Sequence, residues 1–143
     1  PNKTTIIDIR TQLDRLEAKE GHKTDFLIID SPELMNPMTK FQEYRLQKAA
    51  VYWETKAMAL EKNLGCFVTS QLKASTGDVP SAEDMAESYD KARILDIMAA
   101  MVRTKKHELE EKADIWFLKV RDSKNDGRKN TFSKDLSRML MDV

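Results

Sequence analysis

The hydrophobic pattern of the first thirty residues predicts an amphipathic helix followed by a buried strand. One apolar stripe recurs at steps of three and four, as on one face of a helix: Ile6, Ile9, Leu13 and Leu16. Thr5 and Asp8 form the pattern of a capping pair, and Gly21 marks the end of the helix. The large apolar residues 26–29 are typical of a strand covered on both faces, as in a parallel sheet. Asp30 follows directly, so we expect its carboxylate at the carboxyl edge of the sheet, where α/β proteins bind ligands.

A long helix and a second buried strand are predicted next, after Asn36-Pro37. Within this helix an apolar stripe steps by four and three residues: Leu46, Ala50, Trp53, Ala57, Leu60 and Leu64. A second stripe widens it: Phe41, Tyr44, Val51 and Met58. We expect this broad face to lie on a sheet and Trp53 to belong to the core. Gly65 is well placed as the C-cap, and residues 66–70 predict a strand that ends before Gln71.

The rest of the chain is predicted to contain a polar loop, a helix, two strands and a closing hairpin. These are the loop at 73–81, a helix from Ser81 through Met85, Tyr89 and Ala92, strands at 97–102 and 114–121, a turn at 125–127 and a returning strand at 129–136. Residues 104–112 are charged and predict a surface excursion. The pattern therefore predicts an α/β fold: a largely parallel sheet flanked by helices, with a C-terminal antiparallel β-hairpin.

Composition indicates an ordinary globular domain. The 143 residues (16.5 kDa) are 41% apolar and 34% charged, which suits one domain with a modest core. No apolar run approaches the ~20 residues of a membrane span, and the first residues lack the layout of a signal peptide. Cys66 is the single cysteine, which excludes an internal disulfide framework and favours a reducing, cytoplasmic location. The two histidines and Cys66 are too far apart in sequence for a zinc site.

Charge is balanced over the whole chain but not along it. The 24 basic and 24 acidic residues give a formal net charge of zero, so composition alone does not indicate a nucleic-acid binder. The C-terminal region is locally basic, with Lys119, Arg121, Lys124, Arg128, Lys129, Lys134 and Arg138 against Asp122, Asp126 and Asp135. A solvated face is the simpler explanation of such a run, and phosphate contact is the alternative.

The order of the motifs, more than any single motif, carries a resemblance to a known family. The motifs are Asp25-Phe26-Leu27-Ile28-Ile29-Asp30, Ser31-Pro32-Glu33-Leu34-Met35, a long helix, Val68-Thr69-Ser70-Gln71-Leu72, Ala86-Glu87-Ser88-Tyr89 before Asp96, and Phe117-Leu118-Lys119-Val120-Arg121. From about Ile6 to Arg138, this succession resembles the C-terminal half of the RecA-like ATPase domain of DnaB-type replicative helicases, especially phage-like ones. The resemblance implies a partial RecA-like (P-loop NTPase) fold, with residues 1–143 as a single domain that runs from the Walker B strand onward.

The resemblance implies roles for two residues at the carboxyl edge of the sheet. Asp30 matches the Walker B aspartate, which holds the water shell of the Mg²⁺ bound to ATP, and a carboxylate suits this hard cation. Gln71 matches a polar residue that senses the γ-phosphate and couples hydrolysis to the DNA-binding loops, and its amide can donate to a phosphate oxygen. The alternatives are a plain turn residue after the strand for Asp30 and a generic loop residue for Gln71.

The resemblance also implies contacts with identical subunits and with single-stranded DNA. Lys119 and Arg121 match a Lys-x-Arg pair that reaches the nucleotide of the neighbouring subunit in ring hexamers, where cations neutralise charge during phosphoryl transfer. Alternation along a strand points both side chains to the same side. An edge strand made basic against aggregation is the alternative. Residues 73–80 correspond to the loop that faces DNA, and Lys73 is its one basic residue.

One motif of the family is missing from this sequence. No Gly-x-x-x-x-Gly-Lys-Ser/Thr occurs, and in the family this phosphate-binding loop lies upstream of the matching segment. We therefore expect a fragment of a hexameric replicative DNA helicase, which couples ATP hydrolysis to translocation on single-stranded DNA. The isolated chain is expected to be inactive and to self-associate. Two alternatives remain: a fragment of a RecA-type recombinase or circadian-type ATPase, and a non-catalytic interaction module that keeps half of the fold for oligomerisation.

Overall fold

The structure is a computed structural model that describes residues 4–71, 89–123, 127–135 and 140–142. Its elements are α1 (Ile6–Glu20), β1 (Phe26–Ile29), a 3₁₀ helix (Pro32–Leu34), α2 (Tyr44–Lys62), β2 (Gly65–Val68), α3 (Tyr89–Ile94), β3 (Ile97–Val102), α4 (Lys105–Leu109), β4 (Lys112–Val120), β5 (Arg128–Asp135) and β6 (Leu140–Asp142). The chain divides into two compact units, Pro1–Gln71 and Leu72–Val143. In the described part of the chain, no helix is long and apolar enough to cross a membrane.

Helix α1 begins and ends where its sequence predicts. Oδ2 of Asp8 accepts a hydrogen bond from the backbone N–H of Thr5 at 2.8 Å, and this bond lowers the pKa of Asp8. Gly21 ends the helix in the left-handed region at φ 72°, and its N–H donates to the carbonyl of Glu17 at 3.0 Å. Local sequence therefore sets both ends of this helix without help from the rest of the fold.

Strands β1 and β2 pair in parallel, with Phe26 opposite Gly65 at one end of the pair. One face packs with α1 and α2 around a core made of Ile6, Leu13, Ile29, Met35, Val51, Met58 and Leu64. The opposite face is exposed, at 58% for Phe26, 65% for Ile28 and 55% for Phe67. The prediction that β1 is covered on both faces is therefore wrong within the first unit, because both long helices of this unit pack on the same side of the strands.

Helix α2 buries Val51 and Met58 of its second predicted stripe and leaves most of the first stripe exposed. Its buried residues are Ala49, Val51, Tyr52, Thr55 and Met58. Most of the predicted stripe is exposed, at 38% for Leu46, 57% for Trp53 and 71% for Leu60, whereas Leu64, just beyond the helix, is buried. Trp53 is therefore not a core residue. The helix carries two apolar stripes, and periodicity alone cannot tell which of them meets the sheet.

The C-terminal end of α2 corrects a second prediction. The C-cap is Asn63, in the left-handed region at φ 50°, and not Gly65. Gly65 is the first residue of β2, where an added Cβ would lie 2.6 Å from Cδ2 of Phe26. The glycine is thus explained by the close approach of the Phe26 ring across the strand pair and not by helix termination.

The second unit is built on an antiparallel sheet in the order β3-β4-β5-β6. The predicted strands at 97–102 and 114–121 and the returning strand at 129–136 are confirmed as β3, β4 and β5, with ends shifted by at most two residues, whereas β6 was not predicted. The share of parallel pairing is smaller than predicted, because β3 pairs antiparallel with β4. Residues 103–111 connect them, which is shorter than the crossover of about a dozen residues that parallel strands need. This connection contains α4, where a surface excursion was expected.

The second unit buries apolar side chains on both faces of its sheet, since Ala100 faces Trp116 across β3 and β4 whereas Ala113 faces Phe132 across β4 and β5. Its buried apolar residues are Ile94, Met98, Ala100, Ala113 and Phe132. Trp116 is half-buried, and Nζ of Lys129 lies 5.4 Å from the centroid of its ring. The indole therefore contributes a cation–π contact at the edge of this core.

Candidate functional site

The carboxyl ends of β1 and β2 lie side by side and bring Asp30 next to Thr69. The backbone N–H of Thr69 donates to the carbonyl of Ile29 at 3.1 Å, so the parallel pairing continues just beyond the strands. Oγ1 of Thr69 donates a hydrogen bond to Oδ1 of Asp30, whose side chain is exposed. The carboxylate thus stands at the edge where open α/β sheets bind ligands, as the sequence predicts.

Asp30 can contribute to a divalent cation site but cannot form one alone. Mg²⁺ in nucleotide sites keeps several waters and is bound by one or two carboxylates together with the phosphates. One exposed carboxylate beside a hydroxyl fits that arrangement. Over the described ranges, no group of three or more His, Cys, Asp or Glu side chains could hold a metal ion. The residues present therefore fit a hydrated Mg²⁺ that is also held by phosphates bound elsewhere.

Gln71 is exposed and follows β2 at the same edge of the strand pair. Two hydroxyl groups just before it contact residues that follow β1. Thr69 bonds to Asp30, and Oγ of Ser70 donates to Oε1 of Glu33. These two side-chain bonds tie the segment that leads to Gln71 to the segment that carries Asp30.

Glu33 is the centre of a hydrogen-bond network that sequence analysis missed. The hydroxyl of Tyr52, on the buried face of α2, donates to Oε1 of Glu33 at 2.6 Å, and Nζ of Lys48 donates to the backbone carbonyl of Glu33. Burial raises the pKa of Tyr52 well above its usual value, and the bond to the Glu33 carboxylate raises it further. Tyr52 and Ser70 lie 19 and 37 residues from Glu33 along the chain, so no local spacing points to the network.

Lys119 caps the C-terminal end of helix α3. Its Nζ donates to the carbonyl oxygens of Ala92 at 2.6 Å and Leu95 at 2.8 Å. Because α3 ends at Ile94, these carbonyls belong to its C-terminal turn, where free acceptors and the helix dipole favour a cation. In this structure Lys119 is therefore a capping side chain, a role that the alternation of β4 did not reveal.

Arg121 lies directly after β4 and pairs with Asp96, the residue before β3. Nε of Arg121 is 2.9 Å from Oδ1 of Asp96, and the backbone N–H of Arg121 donates to the carbonyl of Asp96 at 2.8 Å. The two side chains are 47% and 58% exposed. Lys119 and Arg121 therefore both contact residues 92–96, as expected of side chains on the same side of a strand.

A buried charge cluster around Asp114 of β4 is a further site that sequence analysis missed. Asp114 is 4% exposed. Its Oδ1 accepts a hydrogen bond from Oγ1 of Thr131 at 2.7 Å, and its Oδ2 lies 3.2 Å from Nζ of Lys129 and 3.7 Å from Nε2 of His107. Burial acts to raise the pKa of Asp114, but the bonds from Thr131 and Lys129 and the nearby charges outweigh it and hold this pKa below its usual value.

The predicted site residues thus fall into two groups, one in each unit. Asp30 and Gln71 belong to the first unit, and Lys119 and Arg121 belong to the second. Lys73, predicted to contact DNA, lies outside the described residues.

Comparison with known proteins identifies the fold. No protein-family model matches the chain, and no curated protein matches it in sequence at a significant level. A solved DnaB-like replicative helicase, described with its interactions with primase, has a TM-score of 0.79 and 18% identity over 94% of this chain. A second solved structure, an isolated helicase ATPase domain, has a TM-score of 0.83 and 18% identity over 97% of it. The chain spans 34% and 51% of the length of those two chains. The predicted resemblance is therefore confirmed at the level of the fold: α/β, with the RecA-like arrangement of part of a helicase ATPase domain.

Proposed function

We propose that this chain, which has the fold of part of a DnaB-like helicase ATPase domain, is the C-terminal half of the ATPase core of a hexameric replicative DNA helicase. The complete protein then couples ATP hydrolysis to translocation on single-stranded DNA. One observation carries the proposal: Asp30 and the segment that ends in Gln71 meet at the carboxyl ends of two parallel strands. Residues 1–143 are proposed to form one domain together with the remaining part of that core.

The nucleotide of the same subunit lies at this edge in the proposal. Asp30 holds the water shell of Mg²⁺, and the amide of Gln71 donates to the γ-phosphate of ATP. The bonds from Thr69 to Asp30 and from Ser70 to Glu33 keep the two segments in register. The phosphate-binding loop belongs to a part of the complete protein that this sequence does not contain.

The exposed face of the parallel pair supports an ATPase core that is larger than this chain. Phe26, Ile28 and Phe67 present a continuous apolar surface on the side of the strands away from the core. Parallel sheets are normally covered on both faces by helices. The chain spans 51% of the isolated helicase ATPase domain to which it is similar, so a second half of similar size is available to provide that layer.

In the proposal, Lys119 and Arg121 contact the phosphates of the nucleotide bound by the neighbouring subunit, and Lys73 contacts DNA. Both cations would have to exchange their present acceptors for phosphate. The partly exposed pair of Arg121 with Asp96 is worth only about 0.2–1 kcal/mol, so phosphate competes with it easily. Lys119 is held by two helix carbonyls and is the harder of the two to release. We therefore assign the main charge-neutralising role to Arg121.

The test is complementation between two variants of the complete protein. Rings made only of Asp30→Asn subunits or only of Arg121→Ala subunits are expected to lose about 10³-fold or more in DNA-stimulated ATPase rate. Mixed rings should regain a share of the rate, because Asp30 of an Arg121→Ala subunit can meet Arg121 of an Asp30→Asn neighbour. Asp25→Asn, an exposed carboxylate at the other end of β1, is the matched control and should keep the parent rate. Full activity of Arg121→Ala rings, or no recovery on mixing, contradicts the assignment.

A non-catalytic oligomerisation module is the second candidate. The missing phosphate-loop motif and the engagement of Lys119 and Arg121 within their own unit favour it. A RecA-type recombinase is the other ATPase to consider on the same fold. The native reading frame separates these candidates. An upstream phosphate loop preceded by a helical domain supports the helicase, and a phosphate loop without that domain supports the recombinase. A reading frame that has no phosphate loop supports the module.

A further inference from the structure

Helix α2 carries a second apolar face, on the side away from the sheet. This outer stripe consists of Leu46, Ala50, Trp53, Ala57 and Leu60. Its three large side chains are 38%, 57% and 71% exposed. With 3.6 residues per turn, the stripe lies on the opposite side of the helix from the buried Val51, Thr55 and Met58. A surface helix normally has one apolar stripe, so a helix with two opposite stripes is suited to lie between two layers.

The spacing and the sizes of the residues in this outer stripe suit another helix as partner. The steps of four, three, four and three residues are those of a coiled-coil seam. Ala50 and Ala57 leave a shallow hollow on each side of Trp53, which can receive a bulky side chain. The residue types along the stripe are the same in both directions from Trp53, namely alanine and then leucine. Such a surface is complementary to a second copy of itself related by a two-fold axis.

The rest of an ATPase core is not the expected occupant of the outer stripe. That layer has its own place on the opposite face of β1 and β2, where Phe26, Ile28 and Phe67 are exposed. The outer stripe lies beyond α2 on the other side of the strands, one layer further out. A layer on that opposite face would leave the outer stripe uncovered, so the stripe would remain available to a second copy of the chain.

We infer that two copies of this chain pair through their outer stripes, with the two α2 helices antiparallel. Leu46 of one copy then packs against Leu60 of the other, the two Trp53 rings meet at the axis, and the helix dipoles oppose each other. The contact runs for about 21 Å along the helix, because Leu46 and Leu60 are separated by 14 steps of about 1.5 Å.

The two carboxylates that flank the stripe do not oppose this pairing strongly. Oε1 of Glu54 accepts from the backbone N–H of Met38 at 2.9 Å, and Glu61 pairs with Arg10. Both carboxylates are thus engaged within their own chain. One helix stripe is small beside a standard interface of about 1,600 Å², so the dimer should be weak and should depend on concentration. This inference does not depend on the proposed nucleotide chemistry.

The oligomeric state of the whole chain in solution, measured by sedimentation velocity over a concentration series, is the first test. The wild-type chain should form a dimer as the concentration rises, and Leu60→Glu should remain monomeric at a concentration where the wild type is mostly dimeric. Leu109→Glu, the same change at a residue that is 89% exposed in the second unit, should dimerise like the wild type. Circular dichroism checks that each variant is folded. A monomeric wild type overturns the inference. The inference is also overturned if Ile28→Glu abolishes association and Leu60→Glu does not, because the contact would then lie on the sheet.

Disulfide cross-linking tests the direction of the helices. In a Cys66→Ala background, chains with Leu46→Cys and chains with Leu60→Cys are oxidised separately and as a mixture. The antiparallel pair should give a cross-linked dimer in the mixture at several times the yield of either chain alone, because position 46 faces position 60 of the other copy. Equal yields in all three samples, or cross-links mainly between identical positions, overturn the inference. Mixing Leu46→Cys with Leu109→Cys is the matched control and should give no excess.

Discussion

Two aspartates that adjoin similar apolar runs, Asp30 after residues 26–29 and Asp114 before residues 115–118, lie in opposite environments. Asp30 is exposed beyond the end of β1 and accepts one hydrogen bond, from Thr69. Asp114 lies within β4, is 4% exposed, and is contacted by Thr131, Lys129 and His107. One carboxylate is available to a ligand, and the other is committed to the fold.

The difference comes from position along the strand and from the neighbouring strands. A residue within an antiparallel ribbon faces partners on both sides, and β5 places Thr131 directly opposite Asp114. A residue beyond the end of a parallel pair faces only the next segment, so Asp30 meets Thr69 and solvent. A carboxylate at a strand end is thus accessible to a ligand. A carboxylate within the ribbon stays ionised because neighbouring side chains hold fixed hydrogen-bond donors and charges beside it.

The comparison predicts its largest effect for Asp114→Asn. Loss of the charge leaves Lys129 and His107 without their buried partner, so the free energy of unfolding should fall by about 2–3 kcal/mol. Asp30→Asn should change it by no more than about 0.5 kcal/mol, since the side chain is exposed and Asn still accepts a hydrogen bond. Urea unfolding of the two variants measures both values. Equal losses would remove the distinction between the two sites.

The pH dependence of stability should reveal the same buried carboxylate. Because the pKa of Asp114 is lower in the folded chain than in the unfolded chain, its contribution is present above about pH 4 and is lost as the pH falls below that value. The difference in unfolding free energy between wild type and Asp114→Asn should therefore shrink between about pH 6 and pH 3. A difference that stays constant over this interval would show that the carboxylate is not stabilised in its charged form.

A smaller contrast is expected between the two cations of the second unit. Lys119→Met removes the cap of α3 and should cost about 1–2 kcal/mol of unfolding free energy. Arg121→Ala removes a partly exposed pair with Asp96 and should cost about 0.2–1 kcal/mol. Thermal or urea unfolding measures both losses. The reverse order would mean that Arg121 has the structural role and Lys119 is the easier side chain to recruit.

Another small effect concerns the bond across the carboxyl edge. Thr69→Val keeps the shape of the side chain but removes the donor to Asp30, and should cost about 0.5–1 kcal/mol. In a double-mutant cycle with Asp30→Ala, the two losses should not add, because either change removes the same bond. Strict additivity in urea unfolding would indicate that the two segments are joined by other contacts.

Much of the fold could be predicted because its signals are local. Thr5, Asp8 and Gly21 act within a few residues of the helix that they delimit, and β1 and β3 lie where four and six consecutive residues predict them. The position of Asp30 at this edge was predictable for the same reason, since a carboxylate directly after a parallel strand lies at the carboxyl edge of the sheet.

The missed features depend on contacts between residues distant in sequence. The network of Glu33, Tyr52 and Ser70 joins three segments, and the cap that Lys119 provides for α3 spans more than twenty residues. The buried face of α2 was predicted only in part because two stripes of similar hydrophobicity compete, and only the packing of α1 and the strands selects between them. Periodicity reports that a face is apolar, and tertiary structure decides what covers it.

The position of Lys119 has a thermodynamic consequence. One ammonium group cannot bind the last carbonyls of α3 and a foreign anion in the same way at the same time, so the two sets of acceptors compete. By linkage, an anion that binds Lys119 destabilises the C-terminal end of α3. A change that destabilises this end of the helix in turn raises the affinity of Lys119 for the anion. The order of the last turn of α3 and the affinity of Lys119 for phosphate then report on the same equilibrium.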